Sequence, residues 1–326
     1  MAFFGIRFDL RNPTFAGTTM HERYQAALDM AVWAERVGFL FVGLSEHHGS
    51  EDGYLPSPLV MAGAVAARTE RVAIVVAAMI APFHDPLRLA EDAAVVDNLS
   101  GGRLELIVAG GYVPEEFAMF GVDLSERAAR TTEVVKTLQA AWTGEPFEYR
   151  GRTVQVTPRP HRSGGPGLQL GGSSAAAARR AARLGVGFQP SKGDVWQAYA
   201  DECVVQGRPD PGPYPGGDTT VTFVARDVDA GWEAIAPYAL HESNAYGAWA
   251  EAAGIETGYR TAVSTDELRD RGQYRVLTPE AMVTELTDAG PLAFAVFHPM
   301  LGGIPPRTAW ETLHLFEHEV LPHLPG

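Results

Sequence analysis

Cysteine is almost missing from this chain. Cys203 stands alone among 326 residues, which excludes an intrachain disulfide and any thiolate-built metal cluster. Long apolar runs are missing as well. The longest stretch free of charged and strongly polar side chains, Val72 to Phe83, has twelve residues, short of the ~18 that a bilayer demands. Basic charge is scarce: 26 Lys and Arg against 40 Asp and Glu leave a net charge of −14 at pH 7. No Lys/Arg block offsets it, so neither nucleic acid nor a membrane surface is an expected partner. Arg7 and Asp9 interrupt MAFFGIRFDL before an apolar signal core forms, and a cytoplasmic protein is the expectation.

What the chain does have is rhythm. Short apolar, β-branched or aromatic runs recur, each followed by a longer segment with helical spacing, the pattern of repeated strand-helix units. Eight such runs are predicted as strands: Phe3 to Phe8, Phe39 to Leu44, Val72 to Met79, Leu104 to Ala109, Gly167 to Leu170, Val186 to Gln189, Thr219 to Ala225 and Leu292 to Phe297. Helices are predicted between them, among them His21 to Val37, Pro86 to Leu99, Ala175 to Leu184 and Gly231 to Ala239. Eight alternations fit an eight-stranded parallel (β/α) TIM barrel of the α/β class better than an open sheet, with insertion segments and with residues 1–326 as one domain. Two stretches break the rhythm. Gly144 to Pro166 is rich in Arg, Pro and Gly, and Tyr238 to Arg275 reads as an irregular or partly helical insertion, a candidate lid.

In a parallel barrel the functional face lies at the carboxyl ends of the strands. Ser45-Glu46-His47-His48 closes the second strand there, and His47 is the best candidate acid/base because an imidazole titrates near neutrality, with Glu46 and His48 orienting it. Zinc is a competing use of histidine at this position. Adjacent residues on extended chain point to opposite sides, so His47 and His48 do not readily share one ion, and no metal is expected. The fifth strand ends in Gly171-Gly172-Ser173-Ser174, ahead of the run AAAARRAARL. Glycines, hydroxyls and a helix N-terminus together make an anion site suited to phosphate, to which Arg179 or Arg180 adds charge; an ordinary Ser cap on a glycine turn is the plainer alternative. Gly110-Gly111-Tyr112, closing the fourth strand, is a second place where backbone can approach a flat ligand.

Glu46-His47-His48, the stretch from Pro56 to Gly121 with LAEDAAVVDNLSGGR inside it, GGSSAAAARRAARLGVGF and FHPMLGGIPPRTAWETLHLFEHEVLP together resemble the bacterial luciferase-like flavin monooxygenase family over nearly the whole chain. That resemblance implies a barrel that binds reduced FMN, or in one branch a reduced deazaflavin, at the carboxyl-end face. It implies that His47 serves the oxidative chemistry, that Ser173 contacts the FMN phosphate, and that Ala77 and Ala78 are joined by a cis peptide against the flavin ring. It further implies a separate flavin reductase, a small-molecule substrate and a homodimer. Gly110 stands where luciferase has a phosphate-binding arginine and Ala109 where it has a cysteine, so light emission is not implied. Two alternatives stay open: a deazaflavin-dependent hydride-transfer enzyme, against which Tyr112 speaks because such enzymes often carry Glu there, and a flavin-binding protein without turnover.

Overall fold

The computed structural model describes residues 2–191, 193–214, 216, 220–290 and 293–325. In chain order the main elements begin β1 (Phe3–Phe8), α1 (Met20–Arg36), β2 (Phe41–Leu44), α2 (Pro58–Arg68), β3 (Ala73–Ile80), α3 (Pro86–Ser100), β4 (Leu104–Ala109), α4 (Pro114–Phe120) and α5 (Arg127–Ala141). A hairpin, β5 (Phe147–Tyr149) and β6 (Arg152–Val154), leads to β7 (Gly167–Gly172), α6 (Ala175–Arg183), β8 (Gly187–Pro190) and α7 (Trp196–Val205). The rest comprises β9 (Val221–Val224), α8 (Val228–Ala252), α9 (Thr265–Arg271), β10 (Tyr274–Leu277), α10 (Pro279–Ala289), β11 (Phe294–Phe297) and α11 (Pro306–Leu315). Parallel strands therefore alternate with helices, the expected α/β class. The helices start where the chain carries N-terminal signals: Thr19 and Glu22 form a capping box on α1, and Asp85 caps α3 ahead of Pro86.

Contacts divide the chain into two compact units. The first comprises residues 1–43, 48–56 and 217–326. Its strands run β10-β9-β11-β1, all parallel, with Phe3 beside Phe294 and Ile6 beside Phe297. Arg23 of α1 is fully buried and donates to the carbonyls of Met300, Gly303 and Ile304 at 2.8 to 3.1 Å. That turn needs its glycines: Gly302 has φ +57°, and a Cβ there would stand 2.2 Å from the Tyr238 carbonyl oxygen.

The second unit comprises residues 44–47 and 57–216. Here β3, β4, β7 and β8 are parallel neighbours, and β5–β6 forms a separate antiparallel pair. The segment Leu99-Ser100-Gly101-Gly102-Arg103 is the knot of this unit. Gly101 ends α3 in the left-handed conformation, Gly102 has φ +85°, and the reversed chain delivers Arg103 to a nest of carbonyls. Its guanidinium donates to Ala66, Thr69, Val72 and Ser100 carbonyl oxygens and to Thr69 Oγ1, at 2.6 to 3.2 Å. One side chain thus closes α2 onto the entry to β3 and β4.

Three expectations change. β10 was not anticipated; it pairs with β9 from Tyr274↔Val221 to Leu277↔Val224. The stretch Gly144 to Pro166 contains the β5–β6 hairpin. The helix expected to stop at Ala239 continues to Ala252 with Pro237 inside it. A proline deletes one helical hydrogen bond but does not end a helix whose next turns are buried, and Glu242, Ser243, Gly247 and Ala250 are. The aromatic residues predicted to suit an adaptable lid are packed in place. Tyr246 and Trp249, with Tyr54, lie 4.7 to 5.0 Å from the buried Arg11 guanidinium, and Tyr259 stacks on Tyr246 at 4.4 Å. Thr219 and Leu292, the first residues of two predicted strands, lie outside the described residues.

Arg103→Met keeps the stem and deletes the donors, leaving several carbonyls without a partner. A loss of about 2–4 kcal/mol of stability is expected, read as a lower midpoint in urea unfolding; an unchanged midpoint would remove Arg103 from this role.

Candidate active site

The second unit gathers most of the predicted site residues. Glu46 and His47 follow β2, and Glu46 is buried, with 2% of its surface exposed. Its Oε2 accepts from the Ile80 backbone N–H at 2.5 Å, and its Oε1 lies 2.8 Å from His84 Nε2. A carboxylate only accepts, so Nε2 carries the proton of that bond. Glu46 is therefore an anchor that ties the end of β2 to the end of β3 and holds a second histidine.

His47, buried, turns to another carboxylate. Its Nδ1 is 2.8 Å from Oε1 of Glu116, a buried residue in the first turn of α4. The Nδ1 proton belongs to this bond, which leaves Nε2 as the ring nitrogen that Glu116 does not engage. Tyr112 meets the imidazole edge to face, ring centroids 6.0 Å apart. His48 belongs to the first unit and is half-buried.

The peptide between Ala77 and Ala78 is cis, as expected, and the β3–β4 register shifts between Ala77 and Met79. Ala77 is exposed and Ala78 half-buried, so the end of β3 presents methyl groups and backbone only. Gly110 follows β4 and Gly111 has φ +68°; a Cβ on Gly111 would stand 2.7 Å from Ile80 Cγ2. Next to them an apolar wall is built by Phe83, stacked on Phe120 at 4.6 Å and edge-on to Phe117 at 4.8 Å.

Gly171 and Gly172 end β7, and the exposed Ser174 caps α6 by accepting from Ala177 N at 3.2 Å. A Cβ on Gly172 would meet Ala177 Cβ at 2.6 Å, so this glycine is required by the close approach of α6 to its strand. Ser173 is exposed beside the N-terminus of α6. Positive charge comes from a residue that sequence reasoning missed. Arg127, the first residue of α5, lays its Cγ and Cδ 3.8 Å from the place a Gly110 Cβ would take. Burial and then the neighbouring Arg127 charge draw the Arg180 guanidinium down from its ordinary value. Among the described residues neither arginine forms an ion pair with an acid, whereas Arg179 is exposed and points to no partner in this group. Arginine charge and the N–H groups of a helix start are donor types that fit a phosphate.

The chain belongs to the luciferase-like monooxygenase family, whose model matches residues 4–290. It is 30% identical over 204 residues to 4-hydroxyprotoasukamycin monooxygenase of Streptomyces nodosus subsp. asukaensis, covering 56% of this chain and 54% of that protein. It is 32% identical over 183 residues to an F420-dependent glucose-6-phosphate dehydrogenase of Nakamurella multipartita, covering 53% and 54%. The match thus spans about half the length of these curated relatives. Among solved structures, monooxygenase RslO1 from Streptomyces bottropensis superposes with a TM-score of 0.75 at 26% identity, over 98% of this chain and 99% of that one. The fold class is accordingly the (β/α) class of that family.

Glu116 had no distinguishing signal in the sequence, since acids in a first helical turn commonly serve only the helix dipole. Glu46 is expected to act chiefly as an anchor. Glu46→Ala leaves the Ile80 N–H without its acceptor and is expected to cost about 2–4 kcal/mol, while Glu46→Gln, which keeps an acceptor, recovers most of it. Thermal unfolding of the two variants checks this; equal stability of Glu46→Ala and the parent would contradict it.

Proposed function

We propose that this protein is the oxygenase of a two-component flavin monooxygenase. Reduced FMN, delivered by a separate reductase in the cytoplasm, supplies the electrons with which O2 places one oxygen atom in a small organic substrate and the other in water. Its carrying observation is the buried His47–Glu116 pair in a chain of the luciferase-like monooxygenase family.

Each residue then has a task. The exposed Ala77 and half-buried Ala78, with Gly110, Gly111 and Tyr112, leave the strand ends clear for a planar ring. Arg127, Arg180 and the N–H groups at Gly171 to Ser174 hold the phosphate, so Gly110 does not need to be an arginine. Glu116 fixes the tautomer and plane of His47, whose Nε2 then moves a proton at the reacting centre. Phe83, Phe117 and Phe120 keep water away from it. A homodimer is supported by the outer faces of α2 and α3, which pack together and leave Val60, Val95 and Leu99 exposed at 77%, 45% and 57%. No helix among the described residues is long and apolar enough to cross a membrane.

Hydride transfer with a reduced deazaflavin is the second reading, favoured by the F420-dependent relative and by Glu116, which supplies a carboxylate beside His47 although Tyr112 is not one. Following O2 consumption after mixing with reduced FMN or reduced F420 separates the two. O2 uptake with reduced FMN is the expected result, and reactivity with F420 alone would establish the second reading.

His47→Ala is expected to leave FMN affinity within a few-fold and to lower substrate oxidation by ~10²- to 10⁴-fold, checked by rapid-mixing kinetics. Near-normal oxidation by this variant would move the proton transfer elsewhere. Arg127→Met is expected to weaken FMN ~10-fold or more and riboflavin hardly at all, because a charge-assisted contact to phosphate contributes about 1.5–3 kcal/mol. Equilibrium titration with both flavins reads the difference, and equal weakening of the two would show that Arg127 acts through the fold.

A further inference from the structure

Within the first unit lies a cluster of charge for which the proposed reaction has no use. Asp9 follows β1, His298 follows β11 and Glu242 lies on α8; all three are buried, with 2%, 2% and 0% exposed. His298 Nε2 is 3.5 Å from Asp9 Oδ1, and its Nδ1 is 3.4 Å from Glu242 Oε1. Neither ring nitrogen, nor Asp9 Oδ2 or Glu242 Oε1, has a hydrogen bond of good geometry to the protein.

Two carboxylates and an imidazole within 4.8 Å of one another are the ligand types of a divalent cation. The surroundings favour a proton instead. The imidazole faces each carboxylate with a different nitrogen, so one ion cannot sit between all three on lone pairs of the same ring edge. A neutral ring would turn one lone pair toward a carboxylate, whereas a doubly protonated ring donates to both. Three arginines face the three acids here: Arg7 approaches Glu242 to 3.7 Å, Arg11 lies 3.6 Å from Asp9 and 2.5 Å from Asp52, and Arg23 of α1 also faces Asp9, so a proton on His298 adds only one positive charge. A divalent ion would bury two further positive charges among these three arginines.

We propose that a second ring proton on His298, which lets Nε2 face Asp9 and Nδ1 face Glu242 as donors, fastens the carboxyl ends of β1 and β11 to α8, and that its loss loosens this unit as the solution turns alkaline. Every packed element contributes to the balance. β1 and the turn after it bring Arg7, Asp9 and Arg11. The 48–56 segment brings Asp52, which also pairs with His241 of α8, and Tyr54. β10 brings Tyr274, whose hydroxyl donates to Glu242 at 2.7 Å, and the α8–α9 connection brings Tyr259, 3.4 Å from Arg7. Burial pushes the His298 imidazole down and Arg7 opposes its charge, but Asp9 and Glu242 outweigh both and raise it. Burial likewise pushes Asp9 up, yet His298, Arg11 and Arg23 hold it at about 2. A raised histidine stabilises the fold below the ordinary imidazole pKa, and this contribution disappears as pH rises through the raised value. Asp9 behaves oppositely, stabilising above the ordinary aspartate range and failing only as pH falls toward 2.

The wild-type protein labelled with 15N-histidine provides a test that needs no folded variant. One of the ten imidazoles is expected to keep both ring protons above the pH at which a free imidazole loses one, to lose one on further alkalinisation, and to do so where the melting temperature starts to fall. Glu242→Gln, which removes one partner charge, is expected to move that loss to lower pH; His298→Gln is expected to erase the alkaline step. A spectrum in which no imidazole titrates above the ordinary range would overturn the proposal. So would tight binding of Zn2+ or Mn2+ by the wild type that Asp9→Asn abolishes, which would make the cluster a metal site. Neither readout uses flavin, so failure here and failure of the monooxygenase reading are separate outcomes.

Discussion

A carboxylate taken out of water must be given its hydrogen bonds back, and Glu46 is where the candidate site meets that demand. By accepting from the Ile80 N–H and from His84, it joins the ends of β2 and β3 in one unit. The residue after it, His47, is thereby delivered to Glu116. A buried charge satisfied on two sides is costly to move, because either bond lost leaves an uncompensated ion. That cost is what allows a loop residue such as His47 to keep one orientation without support from secondary structure.

An opposite case lies at the end of β4. Arg127 lies against Gly110 and its charge reaches Arg180 of α6, and neither arginine is paired with an acid among the described residues. Like charges near one another are an unfavourable arrangement that an anion relieves, which makes this pair a candidate anion site. Around His298 the arginines and acids are paired within one unit; Arg127, beside Gly110, has no acid partner among the described residues and is a candidate for an anion.

Much of this was legible in the sequence, for physical reasons that differ by element. Buried parallel strands read as apolar runs, and all eight predicted ones overlap an observed strand. β10 was hidden because its four residues, YRVL, are a short run with an arginine inside it, in a stretch with no other strand signal. The later turns of α8 were hidden behind Pro237. Glu46, His47 and the glycine ends were legible because they follow strands directly, where a parallel fold exposes its chemistry. Their partners were not: Glu116 is 69 residues from His47, Arg127 lies in a helix start that reads as solvent-facing, and the Asp9–His298–Glu242 cluster joins segments from both ends of the chain. Periodicity locates elements, but nothing in one sequence states which distant side chains meet.

Hydrogen exchange of the protein with and without FMN tests the central claim most directly, since it asks where the cofactor lies and not only whether it binds. Slower exchange is expected in the peptides that contain Ala77 and Ala78, Gly110 to Tyr112, Gly171 to Ser174 and the start of α5, and it is expected to persist in His47→Ala. Protection confined to other segments, or none at concentrations that saturate the flavin signal, would contradict this assignment of the site.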